Sequence, residues 1–315
     1  MATGRTLTVG TRGSRLALRQ TELVVDALRV HHPELQFEVR EVRTEGDRRS
    51  QASLSQIGGQ GVFVKELEAA LLRGEVDLAV HSLKDMPPGL VSGLTVAAIT
   101  QRADPRDALV SRDGATIATL PDGARVGTGS ARRAVQLRAL RADLAPVDIR
   151  GNVETRIRKV DKGELDAVLL AAAGLGRLGL LDRAAELLEP ARMLPAVGQG
   201  ALAIEVRAGE ARADDAELIE LLSAIDHRES RLACESERAF LARLGGGCRL
   251  PFGALAEVEG GTLRARGFIS DAEGTRAFRA EVSGPVDEAE SIGVQLAERL
   301  LAQGAAAFVE AEEAT

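Results

Sequence analysis

Two short patterns occur twice in this chain, in the same order, and they constrain its architecture more than any other feature. Val9-Gly10-Thr11-Arg12-Gly13-Ser14 is echoed by Val126-Gly127-Thr128-Gly129-Ser130, and Gly74-Glu75-Val76-Asp77-Leu78-Ala79 by Gly163-Glu164-Leu165-Asp166-Ala167-Val168. The first pattern reads as a strand running into a glycine turn, a hydroxyl and a helix. The second reads as a turn feeding a buried strand. Such a repeat predicts two similar α/β lobes facing each other across a cleft. Strand-end loops would line that cleft, which is where ligands bind in open α/β sheets.

The rest of the chain fits around these units. Strands are expected at Thr6 to Thr11, Phe37 to Val42, Gly74 to Val80 and Leu94 to Thr100, with an amphipathic helix carrying Leu16, Gln20, Leu23, Val24, Ala27 and Leu28. Residues Thr44 to Gln60 are polar, Gly-rich and aperiodic, as a long functional loop would be, and a helix should open at Gly61. Arg102 to Asp107 reads as a crossover and Leu194 to Gly200 as a return hinge before a strand at Ala201 to Val206. Helices at Ala216 to Ile225 and Glu229 to Leu244 lead to a three-strand meander and a closing helix, Val286 to Gln303. The expected division is 1–101 with 197–224 as one lobe, 102–196 as the second, and 225–315 as a small α+β domain.

Composition excludes several functions. At 315 residues, 45% hydrophobic and 28% charged, the chain has the makeup of a water-soluble globular protein. A net charge of −7 and an aromatic content of 2%, with no Trp or Tyr, argue against nucleic-acid binding. No apolar run reaches membrane-spanning length and the first residues lack a signal pattern, so a cytoplasmic protein is expected. The two cysteines form no CxxC and no zinc spacing, and no metal is expected. No long heptad is visible, so a monomer is expected. Walker, HExxH and serine-elbow motifs are absent.

Three constellations carry chemistry. Gly245-Gly246-Gly247-Cys248-Arg249-Leu250-Pro251 puts a cysteine on a glycine-lined loop that Pro251 keeps out of helix. A turn holding a small hydrophobe and an attachment point for a ligand both satisfy that pattern. Cys234, inside a helix, reads as packing. His81-Ser82-Leu83-Lys84-Asp85-Met86-Pro87-Pro88 delivers Asp85 to the end of a buried strand, beside Lys84 and before two stiffening prolines. A carboxylate about 4 Å from a developing cation contributes about 4 kcal/mol at an effective dielectric near 20, although a surface turn would carry such a residue equally well. Arginines cluster on glycine- and hydroxyl-bearing loops, at Arg12, Arg132, Arg133, Arg150, Arg156 and Arg177. Guanidinium forks bind carboxylate or phosphate through paired hydrogen bonds, so several imply a ligand with many acidic groups, although solvated arginines on helix faces, Arg156 above all, would give the same pattern.

Together these motifs resemble the porphobilinogen deaminase (hydroxymethylbilane synthase) family over nearly the whole chain. The match runs from Thr11-Arg12-Gly13-Ser14-Arg15-Leu16-Ala17-Leu18 to Pro251. It passes through His81 to Pro87, Val126 to Arg133, Arg150-Gly151-Asn152-Val153, Leu194-Pro195-Ala196-Val197-Gly198-Gln199-Gly200 and the Gly-Gly-Cys loop. The resemblance implies an α/β fold of two periplasmic-binding-protein-like lobes around a cleft plus a small C-terminal α+β domain. It implies a dipyrromethane cofactor held by a thioether to Cys248. Four porphobilinogen units would be added with loss of ammonia, and hydrolysis would release hydroxymethylbilane. Asp85 falls on the catalytic aspartate. Lys84, Ser82, Thr128, Ser130, Arg132 and Arg133 fall on cofactor-binding positions, and Arg12, Ser14, Arg150, Arg156, Arg177 and Gln199 on substrate-binding ones. One departure is Gly58-Gly59-Gln60-Gly61, where the family commonly has lysine in place of Gln60. Two other readings fit parts of the sequence: a two-lobed anion receptor, which would need neither Cys248 nor Asp85, and a deaminating enzyme on small amines, which would leave the cysteine loop idle.

Overall fold

A computed structural model of the chain describes residues 5–42, 64–209, 213–245 and 250–313. The first lobe is built from β1 (Thr6–Thr11), α1 (Arg15–His31), β2 (Gln36–Glu41), α2 (Lys65–Arg73), β3 (Leu78–Ser82) and β4 (Leu94–Ile99). The chain then enters a second sheet through β5 (Asp107–Ser111). It continues with β6 (Arg125–Gly127), α3 (Ala131–Leu140), β7 (Ala145–Val147), α4 (Val153–Asp161), β8 (Ala167–Ala171), α5 (Ala172–Arg177) and β9 (Glu186–Leu188). It returns to the first sheet as β10 (Leu202–Arg207), followed by α6 (Ala213–Ser223).

The two sheets have the same topology, β2-β1-β3-β10-β4 and β7-β6-β8-β5-β9. In each, three parallel strands are followed by one antiparallel strand, β10 or β5, which adjoins a crossover. The repeated sequence patterns pack on one another in the same way in both lobes. The Thr8 N–H donates to Asp77 Oδ2 at 2.8 Å, and the Arg125 N–H to Asp166 Oδ2 at 2.7 Å. Gly74 and Gly163 both turn at φ 71°. A Cβ on Gly10 would lie 3.1 Å from Val76, and one on Gly127 only 2.7 Å from Leu165. The glycines persist because the turn preceding the next strand presses directly on their backbone.

Beyond the lobes, α7 (Arg228–Arg243) and α8 (Ala289–Leu300) cover one face of an antiparallel sheet, β11 (Phe252–Glu259), β12 (Thr262–Ser270) and β13 (Ala277–Pro285). Leu255 and Phe268, in the same sheet, pack on Val135 of α3 and on Leu194. The domain is thereby seated against the second lobe. The expected closing helix, Val286 to Gln303, is present as α8, but it does not close the chain: at Gly304, with φ 120°, the chain turns into a further helix α9 (Ala306–Glu313), and Phe308 stacks on Phe278 at 5.6 Å. The short strands β7 and β9, with three residues each, give no period to read in sequence. β3 begins four residues later than expected because Gly74 caps α2 in the left-handed region. Thr44 to Gln60 and the helix start at Gly61 lie outside the described residues.

The crossovers are bound to each other. Ala103 N donates to Gly200 O at 3.2 Å, and Arg102 Nε to Gln199 O at 2.8 Å. Gly200 has φ 96°, and a Cβ there would sit 2.4 Å from Ala103 O. Gly200→Ala should therefore lower the unfolding free energy by about 2 kcal/mol, read as a drop in the urea midpoint. An unchanged midpoint would show that the crossover backbones separate without cost.

Candidate active site

The end of β3 runs into a 3₁₀ turn, Leu83–Asp85. Leu83 N donates to Ala201 O at 3.1 Å, Met86 N to Leu83 O at 3.1 Å, and both side chains are buried. With Leu83 and Met86 fixed, Lys84 and Asp85 between them are left half-buried. No hydrogen bond to the Asp85 carboxylate forms among the described residues. Lys84 Nζ lies 3.5 Å from Gln199 Oε1. Burial pushes the Lys84 ammonium down to about 8; Asp85 and Asp107 oppose the shift, and Arg133 and Arg132 reinforce it.

The second lobe brings Arg132 and Arg133 at the start of α3. Ser130 caps that helix, its Oγ accepting from Arg133 N at 3.4 Å, and Thr128 Oγ1 accepts from Ser130 N at 3.2 Å. Both guanidiniums converge on Asp107, the fully buried first residue of β5. Arg132 Nη1 reaches Asp107 Oδ2 at 2.7 Å, and Arg133 reaches Oδ1 through Nε at 3.0 Å and Nη2 at 2.7 Å. Burial alone would raise the Asp107 carboxyl, but the two arginines hold it far below the usual carboxylate range. Gln199, 1% exposed, donates from Nε2 to Asp107 Oδ1 at 2.9 Å and to Pro105 O at 2.7 Å. Its amide thus ties the return hinge to the outgoing crossover.

Further cations gather alongside. Arg156 Nε donates to Gly151 O at 2.8 Å and Arg177 Nη2 to Gly200 O at 2.6 Å. Burial pushes the Arg156 guanidinium down to about 10, with Arg133 and Arg150 adding to the fall and Asp148 and Asp85 opposing it. Burial pushes Arg177 down to about 10 as well. Arg150 Nη2 donates to Asp148 at 3.2 Å, while its Nε is buried with no hydrogen-bond partner among the described residues. Lys84, Arg132, Arg133, Arg150 and Arg156 thus share a neighbourhood with three carboxylates, Asp85, Asp107 and Asp148. Positive charge is in excess where water is scarce, a setting that favours a polyanionic ligand.

The remaining expected site residues have structural partners of their own. Ser14 Oγ caps α1, accepting from Ala17 N at 3.2 Å, and Ser82 exchanges hydrogen bonds with Gln20 at 2.9 and 3.2 Å. Arg12 is half-buried at the end of β1. Cys248 and Gln60 lie outside the described residues. Cys234 is buried, and burial pushes its thiol up to about 12, which suits packing. Among the described residues no group of His, Cys, Asp and Glu is arranged to hold a metal ion, and no helix is long and apolar enough to cross a membrane.

Sequence reasoning did not single out Asp107, Glu237 or Glu205. Glu237 on α7 receives Arg102 Nη1 at 2.5 Å, Gly198 N at 2.6 Å and Ala256 N at 2.8 Å, joining both crossovers to the third domain. On the α2 side of the first sheet, His81 Nε2 lies 3.1 Å from Glu205 Oε2, both groups buried. The available signal for Asp107 was a carboxylate opening an otherwise apolar strand, Asp107-Ala108-Leu109-Val110.

Two family models match the chain: "Porphobilinogen deaminase, dipyromethane cofactor binding domain" over residues 7–215 and "Porphobilinogen deaminase, C-terminal domain" over 231–302. The chain is 51% identical over 305 residues to a porphobilinogen deaminase of Roseiflexus sp. (strain RS-1), covering 97% of this chain and 99% of that one. It is 50% identical over 301 residues to one of Desulforudis audaxviator, covering 96% of each. Among solved structures, a Salmonella typhimurium periplasmic binding protein with high arginine specificity covers 70% of this chain and 92% of its own, at 18% identity and TM-score 0.37. The VFT2 domain of Bordetella pertussis BvgS (a double mutant) covers 71% and 86%, at 20% identity and TM-score 0.40.

The depressed Lys84 value makes stability depend on pH. Its ordinary value is 10.5, so between about 8 and 10.5 the unfolded chain binds the proton and the folded chain does not. The destabilisation from this group is full below about 8 and fades as pH rises through 10.5. Lys84→Met should raise the melting temperature of ligand-free protein at pH 7 and lose that advantage by pH 10.5. An equal gain at both pH values would show that the ammonium is not desolvated.

Proposed function

Because the chain belongs to the porphobilinogen deaminase family, we propose that it is a transferase that joins four porphobilinogen units, with loss of ammonia from each, onto a covalently held dipyrromethane and releases hydroxymethylbilane by hydrolysis. The observation that carries this reading is the cation excess beside Asp85: Lys84, Arg150 and Arg156 are desolvated or left with unpaired N–H groups, as a site awaiting carboxylates would be. Each pyrrole of the substrate brings two carboxylates, so the acidic ligand and the basic site match in sign and number. A simple anion receptor would need no carboxylate such as Asp85, which has no hydrogen-bond partner among the described residues, in the middle of its binding cations.

When bound, the dipyrromethane supplies the nucleophilic pyrrole carbon to which the first unit is joined. Cys248 would hold it, with Lys84, Ser82, Thr128, Ser130, Arg132 and Arg133 around it. Arg132 and Arg133 have much of their hydrogen-bonding capacity engaged by Asp107, and the hydroxyls of Ser130, Thr128 and Ser82 already have local partners. The least committed groups are Lys84 and Arg156, which we assign to direct carboxylate contact. Arg12, Ser14, Arg150, Arg177 and Gln199 would complete the substrate side, Gln199 by orienting Lys84 from its buried position.

Asp85 is the acid–base group. It would move a proton to the leaving amine and oppose the positive charge that develops on the substrate pyrrole. A carboxylate held close to a nascent cation, with no hydrogen bond to neutralise it among the described residues, is matched to that transient charge rather than to the resting ligand. The expected division of the chain is 1–101 with 197–224, 102–196, and 225–315. The protein is expected to act as a cytoplasmic monomer, independent of nucleic acid and membrane.

Intact mass tests the reading. The native protein should exceed its polypeptide mass by two linked pyrroles, and Cys248→Ala should not. Asp85→Asn should keep the excess mass yet lose about two to three decades of turnover. A native protein that gains no mass even when supplied with porphobilinogen or hydroxymethylbilane would bring the anion-receptor reading forward.

A further inference from the structure

Asp107 is not among the expected site residues, yet it ties together three side chains of the cleft. It accepts four hydrogen bonds from three side chains: Arg132 at 2.7 Å, Arg133 at 3.0 and 2.7 Å, and Gln199 at 2.9 Å. Those side chains come from α3 and the return hinge, while Asp107 itself stands where the outgoing crossover enters β5. Its carboxylate is fully buried, and the Arg132 and Arg133 side chains are 6% and 7% exposed. Two guanidiniums so close would repel one another and turn apart without an anion between them. Gln199, fixed on the same carboxylate, offers its Oε1 to Lys84.

We propose that Asp107 is a positioning residue for carboxylate recognition, holding Arg132 and Arg133 side by side and, through Gln199, setting Lys84 beside Asp85. The proposal rests on the cleft being the dipyrromethane and porphobilinogen site. The roles of the two arginines then differ. Arg133 has Nε and Nη2 on Asp107 and Nη1 on Leu169 O at 3.1 Å, which makes it the inner brace. Among the described residues Arg132 reaches Asp107 and Leu194 O through Nη1 alone, so Nε and Nη2 are the edge that can still take a ligand carboxylate. Asp107 does not touch substrate; it decides where the cations that do so are held.

The test uses purified wild type, Asp107→Ala and Asp107→Asn, measured with formate and with chloride at equal ionic strength. Asp107→Ala leaves a carboxylate-sized space lined by two guanidiniums and an amide, which formate fits. Three quantities are read: the fraction carrying the dipyrromethane mass, KM and kcat for porphobilinogen, and the melting temperature. The expected result for Asp107→Ala is a lower cofactor fraction and a KM raised about tenfold or more, the loss of a charge-assisted contact, with kcat changed less. Formate should restore all of these and chloride should not. Asp107→Asn, which fills the space without the charge, should raise KM similarly and ignore formate; it decides the matter if Asp107→Ala does not fold. Wild-type KM and cofactor load in a folded variant, or equal rescue by formate and chloride, overturns the role of Asp107 alone. A wild type that neither carries the added mass nor consumes porphobilinogen overturns the functional reading and this proposal with it.

Discussion

The cleft depends on keeping several guanidinium and ammonium groups out of bulk water with fewer carboxylates than cations. Removing one such charge from water without a partner costs several kcal/mol, so each group must be paired or shift toward its neutral form. Both solutions are present. Asp107 and Glu237 pair with Arg132, Arg133 and Arg102. Lys84, Arg156 and Arg177 have no carboxylate within ion-pair distance among the described residues, and all three are pushed below their ordinary values. The first group stabilises the junction of the lobes, and the second holds a deficit that an acidic ligand would relieve. Binding and stability are linked by the same desolvated charges.

The repeated halves were legible in the sequence because they rest on requirements that only a few residue types meet. Gly74 and Gly163 turn with positive φ, Gly10 and Gly127 are pressed by the next turn, and Asp77 and Asp166 answer a strand N–H. Each of these is a local demand written into a short stretch. Asp85 and the arginines stood out for a similar reason, since strand ends and glycine turns place side chains toward a cleft. Asp107, Glu237 and Glu205 act on partners dozens of residues away, and no spacing along the chain announces that; Gln199 stood out only as part of the Leu194 to Gly200 motif. A residue such as Asp107 looks in sequence like any polar residue opening a strand; its burial and its two partners exist only after the lobes have folded.

The hydroxyls teach a narrower lesson. Ser14 and Ser130, on glycine turns before helices, fit an anion site because unpaired helix N–H groups point outward there. In the fold their oxygens accept from Ala17 N and Arg133 N, so each hydroxyl satisfies its own helix. Helix start and anion cradle share one sequence signature, and the hydroxyl alone does not separate them. What separates them is the burial of the charge: α3 carries the buried Arg132 and Arg133 one residue past its cap, whereas α1 follows its cap with the exposed Arg15.

The junction also sets how the parts can move. Glu237 fixes the third domain to both crossovers at once, through Arg102 and Gly198 N, while Asp107 and Gln199 fix the crossovers to each other. Opening the cleft by parting the crossovers would break buried, charge-assisted hydrogen bonds, each contributing about 1.5–3 kcal/mol. The contact of Leu255 and Phe268 with Val135 and Leu194 is a small apolar patch with, among the described residues, one polar link, Arg279 to Gln136 at 3.0 Å. A growing, tethered chain needs space, and space is more cheaply made where few charges are parted. The apolar seat between the third domain and α3 is therefore a weaker boundary than the charged crossover junction, and accommodation of a lengthening ligand should begin there while the arginines keep their places.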